Sequence, residues 1–245
     1  MREPFAAKVW VPAHSEATSR HRNGSRGIRN ESGFFESPSV CMGVAGSRVD
    51  RVPRPLRVFV PDWIYHVASR GSDRRPLFLF DQDREEFLER LGWAVERHEL
   101  PCLAYCLMGN HYHLIVQTPD ARLSKALQEL NSGYSRRFNR VHEHSAHLSR
   151  NRYLAQLIAT EPHLLMACRY VAHNPVRAGL CGEPSDSPWS SYRASAGIDP
   201  VAPFLDETAL RDALGPGPRW RTRYRDFVEL PTAVNPLPRD KKLLF

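Results

Sequence analysis

No apolar run in the 245-residue chain approaches the ~20 residues that a bilayer-spanning helix requires, and no basic stretch followed by an apolar one opens the sequence. Membrane insertion and export are therefore not expected, and the chain reads as cytoplasmic. Cysteine is sparse: five residues, at 41, 102, 106, 168 and 181, without the close spacing of a zinc ribbon or a disulfide framework. Cys102 and Cys106 sit among Leu103, Ala104, Tyr105 and Leu107, so they read as core thiols in a reducing compartment. Lysine is scarce too, with four residues against thirty arginines and a formal charge of +7. Such an arginine excess points to a polyanionic partner, because guanidinium forks match phosphate geometry and binding releases counterions.

Residues 1–55 lack any sustained hydrophobic period and are rich in Ser, Gly, Arg and Pro, as in "HSEATSRHRNGSRGIRNESG". They are expected to form a disordered basic segment. Residues 235–245 read as a loose tail and 198–234 as a helical extension, which leaves 56–197 as the domain that carries the chemistry.

Within that domain strand and helix signals alternate. "WIYHVASRG" reads as a strand. "DQDREEFLERLGWAVERHEL" is a helix whose acidic first turn, with Asp81 and Asp83, precedes Phe87, Leu88, Leu91 and Val95 at helical spacing. "CLAYCLM" and "HYHLIVQTP" are two strands joined closely through Gly109 and Asn110. In "RLSKALQELNSGYSRRFNRVHE" the residues Leu123, Leu127, Leu130, Tyr134, Phe138 and Val141 form one apolar helical stripe. "RYLAQLIA" is a further strand, and residues 162–176 form a helix that should end near Asn174, ahead of Pro175. The mixture predicts an α+β fold, a mainly antiparallel sheet backed by helices.

The strand "HYHLIVQT" raises the functional question. Side chains alternate across a strand, so His111, His113, Ile115 and Gln117 share one face while Tyr112, Leu114 and Val116 share the other. Two imidazoles side by side can share a divalent ion when a third donor, often oxygen, arrives from elsewhere in the fold. On the helix of residues 162–176, His163, Ala167, Tyr170, Asn174 and Arg177 fall on one stripe, so Tyr170 and Asn174 are neighbours one turn apart. A phenol nucleophile beside an amide oxygen that could complete a metal shell is a coherent pair. The plain alternative is a half-buried aromatic and a helix-ending asparagine.

Five ordered motifs, "RGSDRRPLF", "AYCLMGNHYHLIVQTP", "LSKALQELNSGYSRRFNR", "YVAHNPVRAGL" and "PWSSYRA", resemble the single-strand DNA transposases with one catalytic tyrosine, most closely the REP-associated tyrosine transposases. The resemblance runs from about residue 62 to about residue 195. It implies a ferredoxin-like sandwich of the His-hydrophobic-His nuclease superfamily. By the same resemblance His111 and His113 match the paired metal ligands, Asn174 the third ligand, and Tyr170 the nucleophile that takes the 5′ phosphate. The implied cofactor is a divalent metal, Mg²⁺ or Mn²⁺, and the implied partner is single-stranded or hairpin DNA, bound by a monomer or homodimer that is nucleoid-associated. The chain departs from the common pattern at Gly109, where relatives carry Pro, and at "AHLSRNRY", where they carry a Gly-His-Leu-Phe-Gln-Gly-Arg run.

The expected activity is metal-dependent cleavage and rejoining of DNA through a 5′-phosphotyrosine. Phosphate contacts are expected from Arg136, Arg137, Arg140, Arg152 and Arg177, with Arg74, Arg75 and Arg150 close to the motifs. Trp189 of "PWSSY" reads as the anchor of a packed turn. Tyr134 is the rival nucleophile, although its place in the apolar stripe argues for the core. Two other functions compete: a DNA-hairpin-binding protein that has lost cleavage, and a small-molecule metallohydrolase, which would want further His or Asp ligands.

Overall fold

The computed structural model describes residues 60–120, 122–145, 147–149 and 153–230. The expectations for residues 1–55 and 235–245, and for Arg150 and Arg152, lie outside them. Strands β1 (Trp63–Arg70), β2 (Cys102–Leu107), β3 (His111–Thr118) and β4 (Leu154–Ile158) form one sheet in the order β2-β3-β1-β4. The three neighbouring pairs are all antiparallel. Helix α1 (Asp81–His98) links β1 to β2, and α2 (Leu123–Val141) links β3 to β4. This β-α-β-β-α-β order on an antiparallel sheet is the ferredoxin-like sandwich expected from the sequence.

Each face of the sheet has its own core. Tyr112, Leu114 and Val116 of β3, with Tyr65 and Val67 of β1, are buried against Phe87 and Leu91 of α1 and Leu127, Leu130, Tyr134 and Phe138 of α2. Asp83 fixes the start of α1, its carboxylate accepting from the backbone N–H groups of Leu79 and Phe80 at 2.9 and 3.0 Å. It also meets His142 Nε2, just past the end of α2, at 2.8 Å. Phe87 sits at the centre, fully buried, with the rings of Tyr112, Tyr134 and Phe78 at 4.7, 5.2 and 5.5 Å. Phe87→Ala is accordingly expected to cost about 3–5 kcal/mol of stability, measured by denaturant unfolding.

The opposite face carries Ile64, Cys106 and Ile115, packed against Leu164, Ala167, Cys168 and Val171 of α3 (Glu161–Ala172). The one-turn helices α4 (Asn174–Arg177) and α5 (Tyr192–Ser195) follow, then α6 (Thr208–Ala213) and α7 (Trp220–Glu229). Leu210, Trp220, Tyr224 and Val228 join the α3 core, so the helices within the described part of the expected extension pack on α3. His173 Nε2 donates to the Val228 carbonyl at 2.8 Å, Tyr192 Oη donates to Glu229 at 2.7 Å, and Arg169 bonds the Leu230 carbonyl. Helix α3 is thereby held on two sides, by the sheet and by α6 and α7. Cys102, Cys106 and Cys168 are buried free thiols, pushed up to about 12 by burial. Among the described residues no helix is long and apolar enough to cross a membrane.

The helix expected over 162–176 is divided. α3 ends at Ala172, and Asn174 opens the separate turn of α4 with Pro175 in its first turn. Proline brings no N–H and disfavours helix in the residue before it, so the break falls slightly earlier than the pattern suggested.

Candidate active site

The site is assembled on the α3 face of the sheet by the pairing of β1 with β3. In that register Arg70 stands opposite His111, Ala68 opposite His113 and His66 opposite Ile115. Opposed residues of an antiparallel pair share a face, so His66, Ala68 and Arg70 of β1 surround the two histidines of β3. On β4, Gln156 stands opposite His66. His111 is half-buried and His113 buried, their ring centroids 5.1 Å apart.

Each histidine of β3 has a side-chain partner at its Nδ1. Asn110 Nδ2 donates to the Arg74 carbonyl at 3.2 Å, which turns its Oδ1 toward His111 Nδ1, 2.8 Å away. A carbonyl oxygen only accepts, so His111 carries its proton on Nδ1 and keeps the Nε2 lone pair. His113 Nδ1 is in turn engaged by His66 Nε2 at 3.0 Å, and among the described residues no hydrogen bond falls on His113 Nε2. Burial lowers His66 to about 4. His111 is also lowered to about 4, by burial first and the nearby Arg70 charge second, with the Asn174 side chain at the ring opposing the shift. His113 lies well below the ordinary imidazole range through burial and its His66, His111 and Arg70 neighbours. All three rings are therefore neutral at pH 7, the form in which imidazole binds metals.

Two imidazole nitrogens with the Asn174 amide against one of them fit a divalent cation, provided that substrate oxygens or waters complete the shell. Among the described residues no group of three or more His, Cys, Asp or Glu is placed to hold a metal.

Tyr170 reaches the same spot from α3. Its ring stands edge-on to His113 at 5.7 Å and to His66 at 5.8 Å, with the Arg177 guanidinium 5.2 Å from its centroid. Arg70 lies within electrostatic reach of Tyr170 as well. The phenol is half-buried, and Asn174 is 9% exposed beside His111. The pair predicted from one helical turn is thus brought to the histidines.

The loop between β1 and α1 lies against the turn between β2 and β3. Gly71 N–H donates to the Asn110 carbonyl at 2.9 Å, and Leu77 N–H to the Gly109 carbonyl at 2.9 Å, so the loop grips the turn that leads into β3. Asp73 and Arg74 are both left-handed, at φ 53° and 61°, a conformation that costs about 1–2 kcal/mol per non-glycine residue. A Cβ on Gly71 would fall 2.1 Å from the Arg75 carbonyl oxygen. Gly71→Ala is therefore expected to displace the loop, costing about 1–3 kcal/mol in thermal unfolding and loosening Asn110 from His111. At Gly109, by contrast, a side chain would meet nothing within 4 Å, so the departure from proline leaves open space rather than a new contact.

Not every predicted residue arrives at the site. Arg136, Arg137 and Arg140 lie on α2, the layer across the sheet, and Arg137 pairs with Glu86 at 3.6 Å. Arg177 alone of the described DNA-contact candidates stands at Tyr170. Tyr134 is a core residue, 3% exposed, its hydroxyl donating to the Leu77 carbonyl at 2.5 Å and its acidity suppressed by burial. Trp189 packs against the α1 and α2 core, as an anchor should. His66, Arg70 and Asn110 were not singled out beforehand. A polar histidine alternating with Ile64 and Ala68 on β1 was the available signal for His66.

Residues 59–174 match the family model described as "Transposase IS200 like". A Haemophilus influenzae protein that bears the provisional name REP-associated tyrosine transposase is 24% identical over 147 residues, covering 56% of this chain and 83% of that protein. Among solved structures, a REP-associated tyrosine transposase bound to a REP hairpin is similar at a TM-score of 0.53 and 17% identity, covering 64% of this chain and 96% of that one. The matched segment takes in β1 through α3 with His111, His113 and Tyr170, so the domain that brings these residues together is similar to the IS200-like transposases.

Proposed function

We propose that this protein is a metal-dependent DNA transposase that cleaves and rejoins single-stranded or hairpin DNA through a 5′-phosphotyrosine on Tyr170. The observation that carries the reading is the meeting of Tyr170 with His113 at 5.7 Å under the Arg177 guanidinium. His111 Nε2, His113 Nε2 and the Asn174 side-chain oxygen would hold Mg²⁺ or Mn²⁺. When bound, that ion supplies Lewis acidity at the scissile phosphate and offsets charge that develops during transfer.

The chain's own groups then have defined tasks. Tyr170 Oη gives up its proton and forms a bond to phosphorus, while the bond from phosphorus to the 3′ oxygen breaks. That oxygen takes up a proton and leaves as a 3′-hydroxyl. One phosphoester replaces another, so a 3′-hydroxyl can reverse the step without ATP. The cationic Arg177 and Arg70 stand close to Tyr170, where they offset negative charge that develops at the phosphate during attack. Arg177 and Arg70 serve the scissile phosphate in this reading, and Arg136 and Arg140 serve DNA held away from it. Because the histidines and Tyr170 belong to one chain, a monomer suffices as the active unit.

The competing function is hairpin binding without cleavage. Incubating the purified protein with end-labelled hairpin DNA from the repeats flanking its own gene, in Mn²⁺, Mg²⁺ or EDTA, separates the two. A covalent protein–DNA band on a denaturing gel that EDTA removes is the expected result. Retarded DNA on a native gel with no covalent band in either metal would favour the binding protein.

A further inference from the structure

His66 has no part in the chemistry just described, yet its Nε2 lies 3.0 Å from Nδ1 of His113, and both side chains are buried. The strand register makes the contact possible. His66 is the diagonal neighbour of His113 across β1 and β3, and the residue directly opposite His113 is the small Ala68, over which the two rings can lean together at 5.1 Å between centroids. Ile64 of β1, two residues along on the same face, is fully buried among apolar side chains. An apolar residue would fill the His66 position without bringing a polar atom into the core, so the choice of imidazole calls for a reason.

We propose that His66 is a positioning residue for His113: it accepts the Nδ1 proton of His113 at its own Nε2 and so keeps the His113 Nε2 lone pair free for the divalent ion. A nitrogen-to-nitrogen hydrogen bond contains one proton, and that proton has two possible homes. If His66 donated it, His113 would carry its own proton on Nε2 and could not ligate from that atom. If His113 donates it, the proton leaves Nε2 bare and the ring is held at a fixed tilt. The same logic holds at His111, whose Nδ1 faces the Asn110 carbonyl oxygen at 2.8 Å. Both ligands of the pair then have their tautomer set by a neighbour, one from the β2–β3 turn and one from β1. Partners of this kind are worth about 10–100-fold in metal affinity.

The inference rests on the proposed metal role of His111 and His113, and its test separates the two. Long-range proton–nitrogen correlation spectra of the metal-free full chain read the tautomer of His113 directly, and calorimetric Mn²⁺ titration without DNA reads affinity. The wild type should show His113 protonated on Nδ1. In His66→Phe, which offers no acceptor, the proton should move to Nε2, the position an unconstrained neutral imidazole prefers, and Mn²⁺ binding should weaken about 10–100-fold. His66→Gln, whose side-chain oxygen accepts from the same direction, should restore affinity to within about threefold of wild type. Merely filling the core would not distinguish Gln from Phe in this order, since Phe is the better apolar filler. Should His66→Phe fail to fold, the wild-type spectrum and His66→Gln carry the test. A wild-type His113 protonated on Nε2, or equal Mn²⁺ affinity in wild type and His66→Phe, overturns the role of His66 alone. A wild type that binds no Mn²⁺ fails the metal reading, and this inference falls with it.

Discussion

A Tyr170→Phe chain is expected to bind hairpin DNA and to form no covalent adduct with it, a loss of at least about 10³-fold in strand cleavage. The phenyl ring keeps the edge-on contacts to His66 and His113 and the Arg177 guanidinium above it, so the site's shape survives while the attacking oxygen is gone. Tyr134→Phe is the informative control. Its hydroxyl bonds only the Leu77 carbonyl among the described partners, on the other side of the sheet, so that variant should keep the adduct and lose about 1 kcal/mol of stability. Denaturing gels of labelled hairpin incubated with each variant, beside a native-gel binding assay, give both results in one experiment. An adduct that survived in Tyr170→Phe would remove Tyr170 from the chemistry.

The second large effect belongs to the histidine pair. His111→Ala and His113→Ala each remove one of two imidazole donors, and each should abolish metal-dependent cleavage, again by about 10³-fold or more. Their effects should not add, because either loss dismantles the same ion site. Calorimetric Mn²⁺ titration distinguishes this from a folding defect. Burial of the histidines also sets a pH signature. Folded-state values near 4 for His66 and His111 lie below the unfolded value of 6.5, so their contribution to stability is complete above about pH 6.5. Below that pH the unfolded chain takes up protons first, and stability falls until the folded state protonates as well, near pH 4. His66 alone, depressed to about 4, would cost on the order of 3 kcal/mol across that window. Urea unfolding at pH 7, 5.5 and 4.5 should show this decline, and His66→Gln should flatten it.

How legible the site was depended on whether its geometry is local in sequence. The alternation in "HYHLIVQT" placed His111 and His113 on one face because strand periodicity is a property of the segment itself, and the structure keeps that face. Tyr170 and Asn174 were likewise neighbours by helical spacing, even though Pro175 divides the helix between them. His66 was different: its partner stands 47 residues away, and their contact exists only in the register of β1 on β3. No single-segment pattern encodes a register. The arginines of α2 show the complementary limit. Charge and spacing put Arg136, Arg137 and Arg140 on a polar helix face, but the side of the sheet that α2 would cover is decided by the opposite face of β3, through Tyr112, Leu114 and Val116. The packing of the C-terminal helices on α3 was also hidden, since the surface that Trp220, Tyr224 and Val228 cover is supplied by a helix distant in sequence.

The most direct measurement is peptide mapping by mass spectrometry of the covalent adduct formed with hairpin DNA and Mn²⁺, after nuclease and protease digestion. One modified peptide is expected, spanning Tyr170, with a nucleotide 5′-phosphate esterified to the phenolic oxygen. A phosphonucleotide on any other residue, Tyr134 included, or cleaved DNA with no protein-linked nucleotide, would contradict it.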